Sequence, residues 1–288
     1  MSSILQSLPS DLLEIGIEER FALDIASVVV GIRPRGLLHI SKELRTGLVE
    51  LFHRYGLAVG YERELARNPD RLTRESILTD RTMHQDGAEL WVELWYQKAN
   101  QRLSSGEFLL RDSGMHLSYP TCCVESMRDK SSLGSHYSSY IFASDPSRYW
   151  QLNRLSALFS KIILMPDFFP CHLACSHAHN FVEPFVSLAA NVWGPDTHSE
   201  LVRRAQQPII LWKDLVMTFE HFSVVDQCVR VEKKSGMKVP LSTLGIDRHF
   251  NDPALLFFRH FHLSAEHNRR LELYDGKTQI WNGSLDLV

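Results

Sequence analysis

The hydrophobic pattern of this chain changes period at Pro208, and no other feature of the sequence constrains its fold as strongly. Upstream, apolar residues recur at helical spacing. Leu44, Leu48, Leu51 and Phe52 follow a capping Ser41, and positions 83, 90, 91, 94, 95 and 99 follow Thr79 or Asp80, which predicts helices over 41–55 and 79–103. Prolines suited to a first helical turn predict further helices from Pro120, from Asp145-Pro146 and from Pro170, the last running to about Asn191, with a short one over 197–206. Two apolar runs, Ile25–Val30 and Ile162–Met165, read as buried strands. Downstream, Ile209–Trp212, Met217–Phe222, Cys228–Glu232 and Met237–Leu241 are short β-rich runs, and Leu271–Trp281 reads as a hairpin around Asp275-Gly276. No repeat, low-complexity tract or Pro/Gly linker interrupts the chain. The expectation is one α+β domain over 1–288, with a helical N-terminal two-thirds (1–207) around a histidine-lined pocket and a β-rich C-terminal third (208–288).

Composition narrows the function classes. A net charge of −3 gives no electrostatic footprint for nucleic acid or for an anionic membrane surface. No run reaches about 18 consecutive apolar residues, and the first residues lack a basic flank before an apolar stretch, so a cytoplasmic protein is expected. Five cysteines, an odd count with two adjacent, suit a reduced compartment better than a disulfide framework. A homodimer is compatible with all of this. Gly31-Ile-Arg-Pro-Arg-Gly36 lacks the Gly-Lys-Ser/Thr ending of a phosphate loop.

One stretch concentrates the chemistry: Cys171, His172, Cys175, His177, His179 and Glu183 fall within thirteen residues. In a helix opened by Pro170, Cys171, Cys175, His179 and Glu183 lie four apart along one stripe. Thiolates and imidazoles there could ligate zinc or iron, or present an axial histidine to a haem. Read as zinc, Cys171, Cys175 and His179 or His177 give three ligands, with His172, Cys122 or Cys123 available as a fourth. The bland alternative makes the cysteines core residues. Cys122 and Cys123 diverge by about 100° on a helix, so they are expected to be small buried thiols rather than joint ligands of one ion. A Cys171 nucleophile with His177 or His179 as base is a minor alternative, without an oxyanion-hole motif.

A second histidine-bearing element is the helix expected over 79–103, where His84, Ala88, Trp91 and Trp95 are spaced by four, three and four on one face. A haem held by one histidine needs a helix presenting it into an aromatic pocket, with a polar residue on the distal side. Helices 79–103 and 170–191 together offer that arrangement, with His179 or His177 on the iron and Trp91 and Trp95 as walls. The Cys-x-x-Cys-His attachment motif is absent, which leaves haem b. Arg128 can pair bidentately with a substrate carboxylate.

Thr82-Met-His-Gln-Asp-Gly-Ala-Glu-Leu-Trp91 resembles the His-Gln-x-x-Glu-Leu-Trp signature of the tryptophan 2,3-dioxygenase superfamily, with one additional residue between its two halves. In size the chain is closer to the small haem-dependent L-tyrosine hydroxylases of that superfamily, which use hydrogen peroxide to make L-DOPA for antibiotic pathways. The resemblance implies that His84 is the distal residue and supplies no motif for the proximal ligand. Tyr119-Pro-Thr-Cys-Cys-Val124 and Pro170-Cys-x-x-x-Cys175 also look like elements of an uncharacterised family of archaeal and bacterial proteins, a likeness that implies no activity.

The leading expectation is a haem-dependent oxygenase or peroxygenase that hydroxylates a small aromatic amino acid, L-tyrosine foremost, using peroxide or oxygen. In it His84 and Arg128 are catalytic, and His179, His177, Trp91 and Trp95 bind the cofactor. The alternative is a structural or partner protein that holds zinc or iron through Cys171, Cys175 and His179.

Overall fold

The computed structural model describes residues 2–65, 91–101, 113–128, 149–154, 162–166, 168–207 and 209–218, and the strand segments 221–225, 228–232, 238–240, 250–256, 270–275, 278–284 and 286–287. The architecture is α+β, with helices packed beside small, largely antiparallel sheets. Among the described residues no helix is long and apolar enough to cross a membrane.

Helix α1 (Ser2–Glu14) buries Leu5, Leu8 and Leu12, a stripe at three- and four-residue spacing. Helix α2 (Phe21–Val30) corrects the strand expected over Ile25–Val30. Ala22 to Val28 are all buried, and a helix buried all round shows the same unbroken apolar run as a buried strand. Gly31 closes it at φ 86°, and its N–H bonds to the Ser27 and Val28 carbonyls.

Strand β1 (Arg35–Ser41), helix α3 (Arg45–Arg54) and strands β2 (Leu57–Leu65) and β3 (Trp91–Lys98) follow. The sheet order is β1-β3-β2, antiparallel throughout, with β3 in the centre. Here the helix expected over 79–103 is corrected, because its described portion is β3. Trp91 to Tyr96 are all buried, so both faces of the strand are covered, with Trp91 and Trp95 beside Glu93 on one of them, and the period of two is concealed. Val92, Leu94 and Tyr96 face the core with Leu38, Ile40 and Phe52. Gly36 sits opposite Tyr96, where an added Cβ would lie 2.1 Å from the ring, so only glycine fits without displacing it.

On the opposite face Glu93 is flanked in register by His39 and Arg63. It accepts hydrogen bonds from Arg63 Nη2 at 2.8 Å and Trp95 Nε1 at 3.1 Å. Burial pushes its carboxyl up, but His39, Trp95 and Arg63 together hold it below the usual range.

Helix α1 is pinned to the end of α3 by Tyr55, whose hydroxyl donates to Asp11 Oδ2 at 2.7 Å and lies 3.0 Å from Ser7 Oγ. Burial, with a smaller contribution from Asp11, pushes the phenol up to about 12. In the unfolded chain it ionises near pH ~10. The folded pKa is the higher one, so this group's contribution is complete below pH ~10 and is lost as pH rises toward about 12. Stability should fall across that window, and Tyr55→Phe should flatten the fall. An unchanged slope in denaturation curves of the variant would assign it to another group.

Helix α4 (Thr121–Arg128) starts just after Pro120, as expected. Of the helix expected from Asp145, the described part is a single 3₁₀ turn, Trp150–Leu152. Ile162–Met165 is not a strand but an irregular buried segment, whose Ile163 carbonyl accepts from Trp193 Nε1 at 2.9 Å. Helix α5 (Ser176–Trp193) is the hub. Ala178, Val182, Phe185, Leu188, Ala189 and Val192 are buried along it, and it packs against α1, α2 and helix α6 (Pro195–Ala205). It begins at Ser176 rather than Pro170, so Cys171 lies in the loop before it and the expected stripe from Cys171 to Glu183 is not continuous helix.

Past Gln207 the described elements are strands: β4 (Ile209–Lys213), β5 (Leu215–Thr218), β6 (His221–Val225), β7 (Cys228–Glu232), β8 (Lys238–Pro240), β9 (Phe250–Leu256), β10 (Arg270–Asp275), β11 (Thr278–Ser284) and β12 (Asp286–Leu287). They form sheets of order β12-β9-β4-β5-β8 and β11-β10-β7-β6, with β10 and β11 paired antiparallel and Asp275 opposite Thr278.

Candidate metal centre

Two short segments, each shaped by a proline and a turn, converge at the head of α5. In the first, Ser118 takes a left-handed φ of 62°, and the N–H groups of Ser118 and Tyr119 bond back to the carbonyls of Met115 and Gly114. The chain thereby reverses out of the helical turn Ser113–His116. Pro120 then accepts from the N–H groups of Cys123 and Val124, placing Cys122 and Cys123 in the opening turn of α4. The second segment is the loop Phe168–Cys175. Cys175 caps α5, with its sulfur accepting from the Ala178 N–H at 3.4 Å, the position that Ser, Thr, Asp or Asn usually fills.

The sulfurs meet. Cys122 Sγ lies 3.8 Å from Cys123 Sγ and 3.8 Å from Cys175 Sγ, and Cys123 Sγ is 3.9 Å from Cys175 Sγ. With Cys171, all four lie within 4.8 Å of one another. The four thiols are free, with no disulfide among them. Among the described residues this is the group of ligating side chains close enough to share one ion. The backbone N–H of Cys171 also points at Cys123 Sγ, at 3.4 Å. Beneath the sulfurs is an apolar floor of Leu152, Met165, Phe168, Ala178 and Val182, with the Tyr119 ring packed on Phe168 and Phe181. Cys123 and Cys175 are buried, whereas Cys122 and Cys171 are half-buried at the rim.

Electrostatics follow from that layout. Burial, reinforced by neighbouring sulfurs, pushes the Cys123 thiol far up, and burial with Cys175 beside it pushes Cys171 up to about 11. Cys175 moves the other way. Burial opposes its ionisation, but the Ala178 N–H and the thiols of Cys171, Cys122 and Cys123 all donate toward it and hold it below the usual range. The thiol whose ionisation is eased is thus the one at the positive end of α5. Four inward-pointing thiols around one centre suit a soft or borderline cation, which completes the deprotonation on binding.

Cys123 is buried as expected and Cys122 half-buried, but the expectation that the two sulfurs point too far apart to serve one ion is corrected. Successive helical residues diverge at the Cβ, but at an open first turn their sulfurs can bend toward a point above the helix end, and here they lie 3.8 Å apart. Cys171 and Cys175 join them, while the His179 ring instead stacks on Tyr149 with centroids 4.2 Å apart. His177 is exposed on the first turn of α5, and His172 is exposed in the loop. Trp91 and Trp95 are buried on β3, with Trp95 bonded to Glu93 and edge-on to His116 at 6.0 Å. Arg128 is the last residue of α4. His84 lies outside the described residues. The signal available in the sequence was that four of the five cysteines fall in two tight pairs.

No protein-family model, curated protein or solved structure matches this chain.

Proposed function

We propose that this is a zinc protein in which Cys122, Cys123, Cys171 and Cys175 hold one ion as a closed structural centre joining α4 to the head of α5. The observation that carries the reading is the sulfur spacing. A tetrahedron with Zn–S bonds of about 2.3 Å has edges of about 3.8 Å, and three sulfur pairs lie at 3.8, 3.8 and 3.9 Å. An iron–sulfur cluster distributes its thiolates over several irons and so spreads them further apart than a single-ion tetrahedron does. Four protein ligands leave no open position for a substrate, which favours a structural over a catalytic role. The backbone N–H groups of Ala178 and Cys171 aim at two of the sulfurs and would offset part of the negative charge of a four-thiolate zinc site.

Elemental analysis of protein purified under reducing conditions should find zinc near one per chain. Cobalt substituted for it should give the intense visible bands of a tetrahedral thiolate site. Protein that binds neither ion, or that carries iron with sulfide, overturns the reading. Competition with a chromophoric chelator should show affinity weakening as pH falls, because protons then compete for Cys123 and Cys171, the thiols that burial pushes up. An affinity flat with pH would contradict thiolate ligation.

A haem-dependent hydroxylase would need a helix over 79–103 facing another over 170–191. Trp91–Lys98 is a strand, so the described part of the first wall is not helical, whereas His177 and His179 do stand on α5. A Soret band in protein expressed with ample haem would favour the haem reading.

A further inference from the structure

We infer that the centre is a peroxide-responsive thiol switch, in which Cys122 and Cys175 close a disulfide and the zinc leaves. This rests on the zinc reading above and concerns the regulation of that same site. Cys123 and Cys175 are buried against the apolar floor, while Cys122 and Cys171 form the rim that solvent reaches. A small oxidant such as hydrogen peroxide therefore meets Cys122 or Cys171 first.

Geometry then selects the partner. Cys122 Sγ lies 3.8 Å from both Cys123 Sγ and Cys175 Sγ. Adjacent residues have Cα atoms about 3.8 Å apart across a trans peptide, below the roughly 4.4 Å at which disulfides ordinarily begin, so Cys123 is a strained choice. Cys175 belongs to a different segment, has no such restriction and can close the last ångströms by rotating its side chain. Cys171 is engaged elsewhere, with its backbone N–H on Cys123 Sγ at 3.4 Å.

The step balances. The Cys122 sulfur attacks one peroxide oxygen, the O–O bond breaks, and the departing oxygen takes up a proton to leave as water. Cys175 then attacks the resulting sulfenic sulfur. An S–S bond forms, and the sulfenic oxygen leaves with a proton as a second water. In all, two thiolates lose two electrons, and one peroxide with two protons becomes two waters. The ion is left with Cys123 and Cys171 alone, half the ligand set that a structural zinc site requires. The disulfide keeps α4 tied to the head of α5, so the switch exchanges a metal staple for a covalent one and releases the loop Phe168–Cys175 from its grip on the ion.

The test treats the reduced, zinc-loaded protein with stoichiometric hydrogen peroxide while a chromophoric chelator reports zinc, a thiol reagent counts free cysteines and peptide mapping locates the bond. The expected result is one zinc released for every two thiols lost, a mapped Cys122–Cys175 disulfide, and recovery of thiols and zinc binding after dithiothreitol. A disulfide through Cys171, sulfinic acid without a disulfide, or zinc retained until the protein unfolds overturns the inference. Metal-free reduced protein is oxidised in parallel. A Cys122–Cys175 bond formed there by protein that never binds zinc refutes the zinc reading and leaves the dithiol pair standing. Absence of that bond in both samples, from protein that does hold zinc, refutes the switch alone.

Discussion

Removing the metal from the reduced protein, or replacing Cys123 with serine, is expected to lower its thermal midpoint by about 10 °C and to melt one corner of it first. At free zinc a thousandfold above its dissociation constant, binding adds about 4 kcal/mol to folding, and each kcal/mol shifts the midpoint of a chain of this size by roughly 2–4 °C. The locality comes from α4. It is 8 residues long, well short of what an isolated helix needs. Among its described side chains the buried apolar ones are those of Cys123 and Val124. Without an ion, that helix and the loop before α5 lose the contact that holds them together, and burial keeps the Cys123 thiol protonated and unable to form a charge-assisted one. Hydrogen exchange should show protection lost over 119–128 and 171–178 on chelation, and retained in α2 and β3, whose partners are core side chains. Uniform loss, or none, would show that the four sulfurs do not organise this corner.

What the sequence made legible, and what it did not, divides along physical lines. Helix α5 is expected from Pro170 and from the four-residue spacing of Cys171, Cys175, His179 and Glu183, and the helix that forms carries a buried stripe of Val182, Phe185, Leu188, Ala189 and Val192. The period disappears where an element is buried all round. The α2 residues Ile25 to Val30 read as strand, since a continuous apolar run carries no face to count, and Trp91 to Tyr96 of β3 read as helix, since burial on both faces leaves apolar residues at 91, 94 and 95 as well as at 92 and 96. Pro170 was a sound start signal placed one loop too early, because Cys175 is the cap and a sulfur is an uncommon cap to anticipate. The site was half visible. Cys122-Cys123 and Cys171-x₃-Cys175 each stood out, but that the Cys171 backbone meets Cys123 across 48 positions of chain is a product of tertiary packing that neither pair encodes locally. The histidines drew attention by number, yet His179 finds a tyrosine ring and His177 and His172 find solvent.

The remaining large effect lies at the junction of α2 and α5, where Asp24→Ala should cost about 3–5 kcal/mol, the usual penalty for stranding a buried charge. Arg33 is 3 % exposed and its Nη2 donates to Asp24 Oδ1 at 2.6 Å. Its Nε donates to Ser27 Oγ at 2.8 Å, and its guanidinium lies 5.7 Å from the centre of the Phe185 ring on α5. Burial by itself would lower the Arg33 pKa, but the Asp24 carboxylate, with smaller contributions from Tyr96 and Tyr119, more than offsets this, so the guanidinium stays charged in the core. Taking away the carboxylate leaves that cation without its counter-ion between two packed helices. Taking away both charges does not, so Asp24→Leu combined with Arg33→Met should unfold at a denaturant concentration well above that of Asp24→Ala alone. Equal losses in the single and double variants, measured by urea denaturation, would mean that the pair contributes packing volume and not charge compensation. Because Phe185 lies on the same helix whose first residues hold Cys175 at the centre, a weakened α2–α5 junction should also loosen the zinc. The Asp24→Ala protein is therefore expected to give up its ion to a chelator faster than wild type, while the double variant keeps a near-normal rate.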